Sequence, residues 1–249
     1  MKRIFLVLAL CISAQYLFAQ QEDSIGKFRK NVIRYNLSGA LLFGFDKYIV
    51  VGYERVINSR QSISMNVGRA SLPKLVNIIT DSFSLQKDLR NTGTNFSLDY
   101  RFYLAKENRY RPPHGLYIGP YYSYNRFERE NEFSFKRANG AVQAGETNTS
   151  LTIHTIGAEL GYQFVFWEKL TLDMVLIGPG ISSYRIKSTF EGTLDEDDRQ
   201  QLREAIEDVL TQRFPGMNYV LGDKHLDANG VLNTTNVGFR YIIHIGFLF

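Results

Sequence analysis

Residues 236–249 read NVGFRYIIHIGFLF, and this stretch decides the fold. From Val237 to Phe249 every second residue is apolar. A period of two places successive side chains on opposite faces of a β-strand. The stretch therefore predicts a strand with one complete apolar face and a second face that includes Gly238, Arg240, His244 and Gly246.

Seven further stretches alternate in the same way, and we predict strands at about 31–42, 47–57, 61–69, 94–104, 115–126, 151–166 and 169–187. Their second faces carry glycine, serine and asparagine with few charges. A soluble β-sandwich would expose many lysines, glutamates and threonines to water on this face, whereas a narrow barrel needs small side chains in its interior. The sequence predicts an all-β fold, an eight-stranded antiparallel up-and-down barrel.

The predicted connections differ in length between the two ends of the strands. Residues 58–60 and 167–168 are tight turns and 105–114 is moderate, whereas the other end carries 43–46, which is short, and the long segments 70–93, 127–150 and 188–232. Short turns at one end and long loops at the other are typical of transmembrane barrels of the Gram-negative outer membrane. Pro120 and Pro179 lie inside predicted strands, so a bulge or bend is expected at each.

The first residues have the pattern of a secretory signal peptide. Lys2 and Arg3 precede an apolar run at 4–12, and cleavage is expected after Ala19. We therefore divide the chain into a signal peptide, 1–19, and a barrel domain, 20–249. No later run reaches 18 apolar residues, so any membrane insertion must use strands.

Charge and cysteine content bound the chemistry. The single cysteine, Cys11, lies in the predicted signal peptide, so no disulfide or thiol chemistry is expected in the mature chain. Lys and Arg number 29 against 25 Asp and Glu, and no block of five like charges occurs. Nucleic-acid binding is not expected, and no motif indicates a metal or another cofactor.

Two segments carry a resemblance to known proteins. VVGYERVI (50–57) and GLYIGPYYSY (115–124) are similar to segments of uncharacterised outer-membrane barrels described only as a domain of unknown function. The signal peptide, the eight alternating strands and the terminal Phe249 resemble the small OmpA/OmpX/OmpW type. The resemblance implies that the barrel-assembly machinery reads the terminal strand, with Tyr241, Phe247 and Phe249 as the signal. The alternative is an ordinary lipid-facing strand.

Six charged residues are expected on the inner face, three of each sign: Arg34, Glu54, Asp99, Arg101, Glu159 and Arg240. An unpaired charge in a closed interior costs several kcal/mol or more, so these residues need one another as partners. The preferred hypothesis is a paired plug, and the alternative is the lining of a conducting path. Glu159 and Arg240 are the first expected pair, with Asp99 and Arg101 nearby.

The segment 188–232 holds a helix signal. Thr193 and Glu196 form a capping box, and apolar residues follow at helical spacing, including Leu202, Ile206, Val209 and Leu210. A short helix is expected in this last extracellular loop. Its apolar face either docks an outer-membrane protein partner or folds down over the barrel mouth.

Enzymatic activity is not expected. The four histidines are His114, His154, His225 and His244, and none stands at a spacing that suggests a nucleophile with its base. The expected function is a structural or interaction role in the outer membrane, in contact with lipid. Two alternatives stay open: a narrow transporter of small apolar solutes with a lateral opening near 178–180, and a lipid hydrolase.

Overall fold

The computed structural model describes residues 29–71, 78–79, 83–104, 110–136, 142–191, 200, 204, 219–220, 222, 227 and 230–249. Within them the chain forms nine strands and one helix with both ends described, α1 (Leu37–Phe43). The strands are β1 (Asn31–Asn36), β2 (Tyr48–Asn58), β3 (Gln61–Ala70), β4 (Ile78–Ile79), β5 (Phe83–Tyr103), β6 (Gly115–Lys136), β7 (Val142–Phe166), β8 (Leu170–Glu191) and β9 (Val231–Leu248).

Eight of these strands close into a barrel. Every neighbouring pair is antiparallel, in the order β3-β2-β1-β9-β8-β7-β6-β5, and β3 pairs with β5 to complete the ring. The two-residue strand β4 adds to β5 outside the ring. The eight-stranded antiparallel barrel predicted from the alternation is confirmed.

The register of the ring fixes the tilt of the strands. A path from partner to partner around the ring starts at Val237 of β9 and returns to β9 at Phe247, ten residues further along (247 minus 237). The path runs through Val237, Ile181, Ile156, Tyr122, Leu98, Met65, Tyr53, Ile33 and Phe247. With ~3.3 Å per residue and ~4.8 Å between strands, this stagger gives a tilt of about 40°. The interior of such a barrel has room for side chains only.

The first strand is shorter than predicted, because residues 37–42 belong to α1 and not to a strand. The Asn36 side chain caps the helix by accepting a hydrogen bond from the Gly39 N–H (3.0 Å). Gly44 ends the helix with a φ of +100°, which a residue with a Cβ rarely adopts. Local capping therefore overrides the alternation of this stretch. Among the described residues, no helix has the length and apolarity to cross a membrane.

The strands of one side of the barrel are longer than predicted. The segments 83–93, 127–136, 142–150 and 188–191, expected in loops, belong to β5, β6, β7 and β8. The outer faces of these segments carry charged and polar residues, and for this reason the sequence indicates loops there. The hairpin from β6 to β7 consequently stands well above the ends of β2 and β3.

The predicted irregularity at Gly178-Pro179-Gly180 is a bulge in β8. Its register against β9 shifts between Val175 and Gly178, and pairing resumes on both sides of the shift. The Tyr121 hydroxyl donates a hydrogen bond to the Gly178 carbonyl from inside the barrel (2.9 Å). Gly178 and Pro179 keep their pairing with β9, whereas the ladder between β7 and β8 is interrupted at these two residues. Pro120 pairs with Ala158 without a register shift between β6 and β7, whereas the ladder between β5 and β6 is interrupted at Gly119 and Pro120 without a change of register.

Candidate functional site

The outer face of the barrel changes from apolar to polar along each long strand. On β6 the outward residues from Leu116 to Tyr124 are apolar or aromatic, and the next ones are Arg126, Glu128 and Glu130. On β7 the apolar stretch covers Ile156 to Phe166, which at ~3.3 Å per residue and a tilt of about 40° spans roughly 28 Å. This height matches the ~25 Å apolar band of outer-membrane barrels. We call these outward residues the apolar belt.

The inner face at the level of the belt holds one cluster of charges. All six predicted residues lie in it, and all but Arg240 are buried. Arg34 contacts Asp99 (3.2 Å) and Glu54 (3.9 Å), and Arg101 contacts Glu54 (3.6 Å) and Glu159 (3.4 Å). Neighbouring charges in a low-dielectric interior offset part of the desolvation that each one suffers.

Asp173 of β8, which was not among the predicted residues, is the centre of the cluster. Its carboxylate lies 2.9 Å from the Arg34 guanidinium and 2.8 Å from that of Arg101. The Tyr117 hydroxyl donates to it (2.6 Å), and His244 Nδ1 lies 3.2 Å away. With Asp173 the cluster has four carboxylates and three guanidiniums, instead of the three of each expected.

Arg240 of β9 closes the upper side of the cluster. One terminal nitrogen donates to both Asp99 and Glu159, and the guanidinium lies over the Tyr121 ring, 3.9 Å from its centroid. Arg101 packs in the same way over Tyr117, at 4.2 Å. These aromatic faces attract the cations and exclude water beside them.

Hydroxyl and amide groups donate hydrogen bonds to two of the carboxylates, Glu54 and Asp99. Ser62 (2.6 Å) and Tyr103 (3.0 Å) both donate to Glu54 Oε1, while Ser64 donates to Asp99 (2.9 Å). Every strand of the ring contributes to the cluster, since β3 supplies these serines and each of the other seven supplies a charged group or a tyrosine. The cluster thus braces the barrel across its whole width.

Glycines on the inner face leave space for these side chains. A Cβ at Gly161 would overlap the Tyr117 hydroxyl, and one at Gly52 would overlap Asn66 Oδ1. Both neighbours belong to the cluster: Tyr117 binds Asp173, and Asn66 accepts from Arg34 Nε (2.9 Å). The small inner residues that predict a barrel therefore also shape the cluster.

Sequence reasoning missed several members of the cluster although a signal was available. Asp173 stands between Leu172 and Met174, and the alternation of apolar residues along 170–176 places these two on the outer face, so the Asp173 side chain has to point inward. Tyr117 and Tyr121 share the inward parity of Gly119. His244 was expected in the interior, and it is buried there beside Asp173. What the sequence does not contain is the register that brings β1, β5 and β8 together.

The residues of the predicted assembly signal lie on the outer face of β9. Tyr241, Phe247 and Phe249 are exposed, and Phe249 exchanges two main-chain hydrogen bonds with Asn31. Further aromatic rings surround the same end of the barrel, with Phe164, Phe166 and Trp167 in successive contact. Whether this surface is read during assembly stays a prediction.

The predicted docking face of the last loop, with Leu202, Ile206, Val209 and Leu210, lies outside the described residues. In the same loop Gln200 and Glu204 are helical and joined by a hydrogen bond (3.2 Å). Near the barrel mouth the Asn236 side chain donates to the carbonyls of Tyr219 and Val220 (2.9 Å each), so this part of the loop lies against the inner face of β9.

Two described histidines lie at the borders of the belt. His154 Nδ1 is 2.9 Å from the Tyr122 hydroxyl on the outer surface, and its ring packs on Tyr124. His114, in the turn before β6, stacks on Tyr110 with ring centroids 4.4 Å apart. Burial lowers the pKa of His114 to about 4, so this imidazole is neutral at ordinary pH. Among the described residues, no group of three or more His, Cys, Asp or Glu side chains could hold a metal ion.

These features define a closed eight-stranded barrel with an apolar outer face and an interior filled by paired charges. No family model, no curated protein and no solved structure matches the chain.

Proposed function

We propose that this chain is an outer-membrane β-barrel with a structural or interaction role and an interior closed by its ion cluster. The observation that carries the proposal is the inverted polarity of the barrel. Apolar side chains face outward over roughly 28 Å, while seven charged side chains are held inside at the same level. A barrel in water would bury the first set and expose the second.

The ion cluster supports a plug more strongly than a conducting path. Arg34, Arg101 and Asp173 meet near the middle of the interior, where a solute would have to pass. Displacing them would leave buried charges without partners, at several kcal/mol each. The proposal also includes three expectations from the sequence: a likeness to small barrels of the OmpA/OmpX/OmpW type, a signal peptide at 1–19, and contact with outer-membrane lipid.

A planar lipid bilayer separates the plug from a channel. We expect purified protein to show a heat-dependent mobility shift on a denaturing gel and no discrete conductance. The charge-neutral double variant Arg240→Ser with Glu159→Ser removes one ion pair and the upper side of the cluster, and we expect it to give small discrete steps. The exposed pair variant Arg126→Ser with Glu128→Ser is the matched control and is expected to stay silent.

Discrete conductance of the unmodified protein would contradict the plug and favour the second candidate, a narrow transporter of small apolar solutes. That candidate needs an opening in the wall. At Gly178 and Pro179 the strand β8 is paired with β9 but not with β7, which is one observation in favour of this candidate. A second is the short pairing between β1 and β9, which covers only residues 32–36 of β1.

A further inference from the structure

The end of the barrel that carries the short turns has an excess of basic residues. Among the described residues there, Glu168 is the only acidic one outside the interior. The basic residues at this end, which we call the basic rim, are Arg29, Lys30, Arg55, Arg60, Arg111 and Lys169. An α-carboxylate at Phe249 would offset only one of them. This end of the barrel therefore carries a net positive charge.

The basic rim extends around the whole ring of strands. Arg29 and Lys30 precede β1, Arg55 lies on β2, Arg60 lies between β2 and β3, Arg111 precedes β6, and Lys169 lies between β7 and β8. The last four of these side chains are exposed. Since the cations are not gathered on one side, whatever neutralises them has to surround the barrel.

The outer face at the other end treats its cations differently. Above the belt, Arg90 forms an ion pair with Glu130, and Arg126 forms one with Glu128. At the basic rim, leaving Lys30 aside, no carboxylate of the described part of the chain lies within ion-pair distance of a cation. The rim thus has positive charge that the described residues do not neutralise.

Arg55 is the residue of the rim that lies on the lipid-facing surface. By the stagger and tilt given above, its Cα lies roughly 17 Å below that of Ile156 and roughly 8 Å above that of Phe166, the lower limit of the belt. Its outward neighbours on β2, Tyr53 and Ile57, are exposed. The cost of a basic group on the lipid face is highest at the bilayer midplane and falls toward the interface. The Arg55 guanidinium is therefore favoured near the headgroups.

Asn31 holds the Arg55 guanidinium on the side of the lower edge of the belt. Asn31 pairs with Arg55 across the β1–β2 ladder and exchanges two main-chain hydrogen bonds with Phe249. Its Oδ1 accepts from Arg55 Nη1 and from the Tyr53 hydroxyl (2.6 Å). This contact uses one of the five N–H donors of the guanidinium, a planar group that binds phosphate oxygens two at a time.

We propose that the basic rim binds the headgroups of anionic phospholipids, with Arg55 in contact with a lipid phosphate. Basic residues beside a membrane surface attract anionic headgroups, and long basic side chains reach them along apolar surface. Phe166 and Trp167, whose rings are in contact at this end, are of the kind found at the membrane interface. The inference rests on the proposed function, because only a membrane-embedded barrel has headgroups at this level.

Two features favour lipid over an acidic polypeptide as the occupant. The cations lie all around the ring, as lipid does, whereas a protein partner covers one side. Arg55 also stands among exposed apolar residues of the belt, where an acidic segment would have to leave water to reach it. A lipid phosphate already lies at the edge of the hydrocarbon and carries its negative charge there.

Electron spin resonance of the protein in phosphatidylcholine vesicles tests this inference. Spin-labelled phosphatidylglycerol and spin-labelled phosphatidylcholine are compared, and the immobilised fraction of each label gives the relative association of the two lipids with the barrel. We expect phosphatidylglycerol to associate at least about three-fold more strongly. Because exposed charges are screened, about 1 M NaCl is expected to lower this ratio.

Variants locate the selectivity. We expect Arg55→Gln alone to lower the ratio by about a third, and the combined replacement of the rim to bring it close to one. The combined variant carries Arg29→Gln, Arg55→Gln, Arg60→Gln, Arg111→Gln and Lys169→Gln. The matched control is Arg185→Gln, which removes the same charge from an exposed position on β8 above the belt and is expected to leave the ratio unchanged. The heat-dependent mobility shift checks that each variant is folded.

Equal association of the two lipids with the unmodified protein would overturn the inference. So would a ratio that Arg185→Gln lowers as much as Arg55→Gln. Inorganic phosphate at constant ionic strength is expected to leave the ratio unchanged, and its loss there would show that the rim is a site for a soluble anion and not for lipid. A barrel that inserts into vesicles without selectivity would leave the proposed function intact, whereas failure to insert would remove both.

Discussion

At the scale of single residues, contact geometry and net charge make opposite predictions for Asp173. If net charge alone mattered, Asp173→Asn would leave three carboxylates with three guanidiniums and would stabilise the barrel. Arg34 and Arg101 would, however, lose their two shortest ionic contacts, at 2.9 and 2.8 Å. We therefore expect the free energy of unfolding to fall by about 3 kcal/mol, as when a buried ion pair loses one partner.

Urea unfolding in detergent micelles, followed by circular dichroism, measures this change. Glu128→Gln is the control, because Glu128 pairs with Arg126 on the exposed outer face, and we expect a change below about 1 kcal/mol there. A barrel stabilised by Asp173→Asn would show that the excess negative charge, and not the close contacts, governs the cluster.

His114 gives a prediction about pH. Burial against Tyr110 and Tyr162 lowers its pKa from 6.5 to about 4, so the folded barrel holds this proton less well than the unfolded chain. The contribution of His114 to stability is therefore complete above pH 6.5 and is lost progressively as the pH falls toward 4. His114→Phe keeps the ring stacking and removes the titration, so we expect the stability difference between His114→Phe and the parent to grow in this range. A constant difference between pH 7 and pH 4.5 would contradict the assigned burial.

At the scale of elements, main-chain N–H groups point alternately to the two sides of β9, which predicts different responses to proline at neighbouring positions. Odd-numbered residues of β9 direct their N–H toward β1, as Phe249 does toward the Asn31 carbonyl, and no described strand pairs with β9 on that side at Val237. Val237→Pro therefore costs no ladder bond to a described strand, and the barrel is expected to form with its heat-dependent mobility shift. Gly238 N–H faces β8, so Gly238→Pro removes a ladder bond and brings the ring against the neighbouring strand. We expect Gly238→Pro to abolish the shift. Equal tolerance of both variants, or equal failure, would show that the assigned edge is wrong.

The sequence predicts the barrel because one property, alternation with small inward residues, holds on all eight strands. It predicts strand ends less well. Charged outward residues such as Glu128 and Glu130 made the upper parts of β6 look like loop, although alternation continues through them. It also misses α1, because Leu37 and Leu41 fit an outward strand face equally well and the Asn36 cap decides the outcome.

The ion cluster shows a different limit of sequence reasoning. Parity along each strand is a local property, and it places Arg34, Asp99 and Arg240 inside. Which of them meet depends on the stagger of ten residues around the ring, which no single strand contains. Asp173 becomes the central carboxylate only once that stagger is known.

At the scale of the whole molecule, the barrel is tall on one side. β7 continues for 14 residues above the belt, from 155 back to 142, which corresponds to roughly 35 Å at a tilt of about 40°. β2 and β3 end close to the rim of the belt, at residues 48 and 70. The sheet β5–β8 thus projects beyond the apolar belt on one side, and β1 with α1 forms the low wall beside the upper part of β9.

Together with the proposed function, this placement predicts the labelling of single-cysteine variants in intact cells, where the predicted signal peptide would carry away Cys11. A bulky, membrane-impermeant maleimide is expected to label Asn148→Cys at once, because this exposed residue lies on the upper part of β7. Trp167→Cys, in the turn at the opposite end, is expected to react only after the outer membrane is permeabilised. Ile156→Cys, between them on the same strand, is exposed on the barrel, and the proposed function places lipid over it, so it is expected to react in neither condition. Since all three positions lie on or next to β7, the series measures how deep one strand sits, and rapid labelling of Ile156→Cys in membranes would show that the apolar belt does not face lipid.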